Sequence, residues 1–210
     1  MFLQTLFSEP ILFVRVVVIV ILSIVIHELA HGVAALSQGD NTPRTSGHLT
    51  PNPVVHMGYE SIIFLCVAGI AWGAMPINSA NFRHAKWSEV WVAAAGPLSN
   101  VLLGTIFAGL YVAAKQSTLP ISQEFVLMAA RINMMLFVFN LLPIPPLDGF
   151  HVYSQFFPGL KRFENSPIAF FIMMLIFLVP TFSKLLATAT MFLVMMSINF
   201  WVTGLSALQR

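Results

Sequence analysis

Two histidines and a glutamate, His27-Glu28-Leu29-Ala30-His31, stand inside one long apolar run from about Ile11 to Leu36. On a helix, residues four apart share a face, so both imidazoles can reach a single metal ion. Glu28 lies beside them. A carboxylate there can accept a proton from a water that a zinc ion has activated, which is the chemistry of metal-assisted hydrolysis. Ionisable side chains at hydrocarbon depth are costly, and they ordinarily face a cavity and carry function. The blander alternative is a hydrogen-bonded pair of core histidines with a buried acid.

A catalytic zinc takes three protein ligands and keeps a fourth position open. The third donor is sought in Asn140-Leu-Leu-Pro143-Ile-Pro145-Pro146-Leu147-Asp148-Gly149, where the prolines end an apolar helix read as Phe125 to Leu142. Broken backbone at membrane depth is tolerated only where protein or a cavity surrounds it, which favours Asp148, aimed by the proline-fixed turn. His151 is the rival third ligand, although it reads as an early residue of the next helix. His48 and His56 are joined by no His-x-x-x-His or acid spacing and read more simply as polar loop residues.

The elements that must carry these residues are apolar helices. Of 210 residues, 58% are hydrophobic and only 9% charged, far too little polar surface to coat a soluble globule. We expect an all-α polytopic membrane protein forming a single domain, 1–210, with about five transmembrane helices and short loops. The formal net charge of +2 is small and dispersed, which argues against a nucleic-acid partner. The lone Cys66 lies in an apolar run and reads as a packed thiol. The first apolar run lacks a basic leader and holds the histidines, so it does not read as a removable signal peptide.

In chain order, Pro10 opens the first helix and Gly39-Asp40-Asn41-Thr42-Pro43 stops it. Gln38 to Glu60 reads as irregular or short-strand surface structure. Ser61 to Met75 is apolar but shorter than a full crossing needs, and reads as a re-entrant dip. The next helix, about Val90 to Ala114, carries Gly96, Asn100, Gly104 and Ala108 every four residues, a narrow stripe against which another helix can pack. Asn100 either bonds to a neighbouring helix or holds a substrate carbonyl. Arg131 either pairs with Glu124 or faces a wet cavity. The last third offers two apolar runs, about Pro167 to Phe182 and Leu185 to Ser206.

The histidines lie toward the C-terminal end of the first helix, and Asp148 lies just past the C-terminal end of Phe125 to Leu142. Those ends meet at one face only if Ser61 to Met75 dips rather than crosses. The dip also gathers Arg44, Arg83, Lys86, Lys161, Arg162 and Arg210 on one side, opposite Lys115 and Lys184. By the positive-inside rule the richer side is cytosolic, placing the metal site nearer that face.

Taken together, His27-Glu28-Leu29-Ala30-His31, Ala95-Gly96-Pro97-Leu98-Ser99-Asn100 and the Asn140 to Gly149 segment resemble the site-2 protease family of intramembrane zinc metalloproteases. The loop Gly47-His48-Leu49-Thr50-Pro51-Asn52-Pro53 and the Ala71 to Asn78 stretch resemble its short members, which lack appended regulatory domains. The resemblance implies one zinc per chain on His27, His31 and Asp148, with Glu28 activating water and Asn100 and Asn140 along the substrate site. The chain departs from those members at Met57-Gly58 and Met75, where they carry an acid and a lysine. The expected reaction is peptide-bond hydrolysis in a membrane-protein substrate, whose unwound segment pairs with an edge strand near Gly47 to Val55 or Met75 to Asn78. The rival functions are a metal or ion transporter using the histidines as a transit site, and a catalytically silent membrane-binding partner. A transporter would need polar residues staggered through the membrane depth, whereas the candidates here gather at one level.

Overall fold

The computed structural model describes residues 2–116, 120–164, 166, 168, 171, 175–176 and 179–208. Among these residues every regular element is helical and no strand is present. The chain contacts divide it into two compact units, Met1–Ser99 and Asn100–Arg210.

In the first unit, α1 (Leu3–Ser8) leads into α2 (Pro10–Ser37), which opens on a proline at its first turn, where the missing N–H costs nothing. With 28 residues, α2 is about 42 Å long, enough to cross a bilayer with tilt. It stops at Gly39, whose φ of 104° is open to glycine and strained for other residues. A single-turn helix α3 (Thr42–Thr45) follows, and then α4 (Pro53–Ala68). The Asn52 side chain caps α4 by accepting from Val54 N at 3.0 Å, and Pro53 again fills the first position. Helix therefore begins well before Ser61, inside a stretch that composition alone assigns to loop or strand. Pro51-Asn52-Pro53 is a cap followed by a first-turn proline, a start signal obscured by the histidines and glycines around it.

Gly58, with φ 68° and ψ 168°, kinks α4, and Gly69, at φ 74°, ends it in the left-handed conformation. The chain then runs back in extended form along the helix it has just left. Trp72 bonds Ser61, and Ala74 N donates to His56 O at 2.9 Å. The short apolar stretch thus folds back on itself, as a dip requires, but as a helix followed by a returning extended segment. Ile24, Met57 and Leu65, flanked by Val17, Val20, Ile21, Ile62 and Ala71, form the core between α2 and α4.

Helix α5 (Ala85–Gln116) carries Pro97 in its interior, and the boundary between the units falls within it. On the first unit's side, Val92 packs against Ala34 and Ala35 of α2. In the second unit follow α6 (Gln123–Asn140), α7 (Asp148–Phe156), a 3₁₀ stretch (Pro158–Phe163) and α8 (Pro180–Leu208). The small-residue stripe of α5 does what its spacing predicts. Gly104 of the stripe accommodates Met134 of α6. Outside the stripe, Gly109 accommodates the Trp201 indole of α8, and Trp201 Nε1 donates to Thr105 O at 2.8 Å.

Three helices, α2, α5 and α8, are long and apolar enough to cross a membrane, and α4 is a shorter apolar helix. Helix α6 has 18 residues and keeps Arg131 exposed. Half of the apolar run Pro167 to Phe182 lies outside the described residues.

Candidate metal centre

His27 and His31 are one turn apart on α2 and both buried, and their Nε2 atoms converge to 3.0 Å. The contact fits both readings of the pair, an imidazole–imidazole hydrogen bond and two nitrogens turned toward one ion. Two neutral imidazoles that only satisfied each other would place one N–H on the other's lone pair. Here the His31 Nδ1 is engaged by Val92 O at 2.7 Å. A carbonyl can only accept, so Nδ1 carries the proton and Nε2 presents its lone pair. Fixing one ring nitrogen by a backbone carbonyl is how a ligating histidine is usually oriented.

Gly96 supplies the space in front of these nitrogens. A Cβ there would overlap His31 Nε2 and stand 2.5 Å from His27 Nε2. The glycine of Ala95-Gly96-Pro97 thus serves the histidines as well as helix packing. Glu28 is buried on the same helix, and Gly73 of the returning segment lies against its carboxylate: a Cβ at Gly73 would be 2.6 Å from Oε1. Two imidazoles presenting Nε2 into a space cleared of side chains, with a carboxylate beside them, suit a borderline metal such as zinc.

In the second unit, Asp148 is the first residue of α7, half-buried, with Oδ2 shielded from solvent. What places it is Gly149. A Cβ there would overlap Leu141 O and stand 2.7 Å from Leu142 O, so only a glycine lets α7 start directly on the carbonyls that close α6. His151, the rival to Asp148, lies one turn further along α7 with Nδ1 3.7 Å from Glu164 Oε1. His56 is buried in the first unit with Nε2 2.7 Å from Thr50 O, and His48 Nδ1 lies 3.1 Å from Ser46 O. His48 braces its own loop, and His56, on α4, braces the loop that precedes the helix.

Asn100 is fully buried and donates to Asn133 Oδ1 at 3.3 Å, while Asn133 donates to Ala129 O at 2.9 Å. The helix-to-helix bond expected as one alternative for Asn100 is therefore present. Asn140 ends α6 half-buried, donating to Leu136 O at 3.0 Å.

Sequence comparison now bears on this geometry. The model of peptidase family M50 matches residues 15–120 and 110–180. The chain belongs to peptidase family M50, the site-2 protease family. Among M50 relatives, "Putative zinc metalloprotease YwhC" of Bacillus subtilis is 31% identical over 81% of this chain and 83% of its own length. "Putative zinc metalloprotease Rip2" of Mycolicibacterium smegmatis is 29% identical over 68% of this chain and 58% of its own. "Putative zinc metalloprotease sll0528" of Synechocystis is 30% identical over 70% of this chain and 32% of its own, so the chain spans only part of these last two M50 proteins. No solved structure matches the chain significantly. Its three long apolar helices make it a membrane member of the M50 family.

Two groups on the first unit's framework escaped reading from sequence. Asp40 is fully buried and accepts from Asn78 N at 2.8 Å, Asn81 Nδ2 at 2.9 Å and both Thr42 N and Oγ1. Burial pushes its carboxyl pKa up, but the bonds from Asn78, Thr42 and Asn81 together outweigh this and hold it below the ordinary value. Ser61 is the other, fully buried on α4 and bonded to the Trp72 backbone. Thr42 apart, their partners Asn78, Asn81 and Trp72 lie too far along the chain for spacing to reveal them.

Proposed function

We propose that this protein is an intramembrane zinc metalloprotease that hydrolyses peptide bonds in or near the transmembrane segments of membrane-protein substrates. Support comes from the M50 assignment and from the names of its relatives, zinc metalloproteases by description. The observation that carries the reading is the convergence of two Nε2 atoms, one with its tautomer fixed, beside a buried glutamate. Asp148 is proposed as the third ligand. His27, His31 and Asp148 offer two imidazoles and a carboxylate, a donor set that suits zinc. We assign one zinc per chain to them.

Bound there, zinc supplies Lewis acidity, bringing the pKa of a water to about 7 and polarising a carbonyl. The remaining work falls to this chain's side chains. Glu28 accepts the proton of the attacking water and returns it to the leaving amine nitrogen. Its burial beside Gly73 keeps the carboxylate from solvent that would compete for the proton. Asn100 and Asn140 are proposed to meet the substrate backbone, Asn100 by exchanging its bond to Asn133 for one to a substrate carbonyl. The occupant is a single-pass transmembrane segment, unwound at the scissile bond, and the site faces the cytosolic side.

Glu28→Gln tests the assignment, because the amide keeps the volume and cannot accept the proton. Purified in detergent, it should hold zinc as wild type does and lose about 10²- to 10⁴-fold in cleavage rate. Retained cleavage would exclude Glu28 as base. Loss of zinc from His27→Ala and Asp148→Ala, read by elemental analysis, tests the ligands independently.

A further inference from the structure

Ser61 is fully buried on α4, and one residue uses its hydroxyl twice: it donates to Trp72 O at 2.7 Å and accepts from Trp72 N at 2.8 Å. A buried helical serine more commonly bonds a carbonyl three or four residues back on its own helix. Here both the donor and an acceptor site are committed to a segment eleven residues away. On the other side of the Gly58 kink, His56 O accepts from Ala74 N at 2.9 Å. The returning segment is thus tied to α4 at Trp72 and Ala74, and Gly73 lies between the ties.

At Gly73 the segment meets the proposed base with nothing intervening. A Cβ there would stand 2.6 Å from Glu28 Oε1, 2.8 Å from Glu28 Cγ and 2.7 Å from Ile24 Cγ2. The wall beside the carboxylate is backbone, and its position follows from the bonds that α4 makes to its neighbours. A glutamate has three side-chain torsions, and reorientation about any of them moves its oxygens by more than a proton transfer tolerates.

We propose that Ser61 is a positioning residue for Glu28: by holding both polar groups of Trp72, it sets where the Gly73 backbone stands against the carboxylate. The proposal rests on Glu28 being the base. Its test uses full-length protein in detergent and a quenched fluorescent transmembrane peptide that wild type cuts. Ser61→Ala should lower kcat by about ten- to a hundredfold, while KM stays within about threefold and zinc content is unchanged. Independently of activity, amide exchange across residues 70–76 should become faster. Ser61→Thr keeps the hydroxyl and should recover most of the rate and the slow exchange. Gly73→Ala should lower kcat similarly while the exchange stays slow, because the bonds to Ser61 survive. Wild-type kcat in Ser61→Ala, with Glu28→Gln inactive, would overturn the proposal and leave the base assignment standing. Loss of zinc along with the rate in Ser61→Ala would also overturn it, since the serine would then only support the fold. Equal cleavage by Glu28→Gln and wild type would remove the base itself, and the proposal with it.

Discussion

At the scale of single residues, two glycines matter for what they leave out. Gly96 clears the space in front of both His Nε2 atoms, and Gly149 lets α7 begin against the carbonyls of Leu141 and Leu142, just past α6. Gly96→Ala would drive a methyl against both Nε2 atoms, and the His31 ring cannot retreat while Val92 O holds its Nδ1. We expect its zinc content to fall to that of His31→Ala, with helical content by circular dichroism unchanged. Retention of a full zinc equivalent would show that the metal does not occupy that space. The histidines and Glu28 stand out in the sequence as candidates because their chemistry is in the letters and the helix period gives their spacing, whereas Asp148 stands out through the proline-fixed turn that precedes it. The demand for a glycine at 96 was only half legible: its place in a stripe of small residues is periodic, but the imidazoles it faces lie on another helix.

Among the elements, the sequence announces long apolar helices and conceals what ties the connections together. α2, α5 and α8 follow from unbroken apolar runs, whereas α4 was partly missed because polar residues and a kinking glycine mask its first two turns. The stretch from Gly39 to Asn81 is organised by Asp40, a charge with no apolar periodicity around it to mark it as buried. Asp40→Asn keeps one acceptor oxygen and turns the other into a donor facing Asn78 N–H, which should cost about 1–3 kcal/mol. Because folding lowers the Asp40 pKa, its contribution is complete above the ordinary value near 3.8 and is lost as pH falls through the folded value. Thermal unfolding in detergent should therefore show a gap between wild type and Asp40→Asn at pH 6 that narrows below about pH 4. A gap that stayed constant with pH would mean that the carboxylate's charge plays no part in holding the loop.

For the whole molecule, the decisive quantity is which side of the bilayer each connection faces, and α5 makes it measurable. Its 32 residues extend about 48 Å, more than the roughly 30 Å of hydrocarbon, so its two ends emerge on opposite sides. The N-terminal end bears Lys86 with Trp87 and Trp91, the basic and aromatic pairing expected at an interface, and it follows Arg83 directly. The C-terminal end bears only Lys115. By the positive-inside rule the bias toward the Lys86 end predicts a cytosolic position for that end, and Gly39 to Asn81 goes with it because Arg83 N donates to Gln38 O and Ser88 Oγ to Gln38 Oε1. In a Cys66→Ala background, a cysteine at Lys86 should react with a membrane-impermeant maleimide only in inverted vesicles, and one at Gln116 only in right-side-out vesicles. The reverse pattern would place the histidines nearer the outer face. The proposed protease would then receive its substrate segment from the opposite leaflet, while the metal ligands and base would stay as assigned.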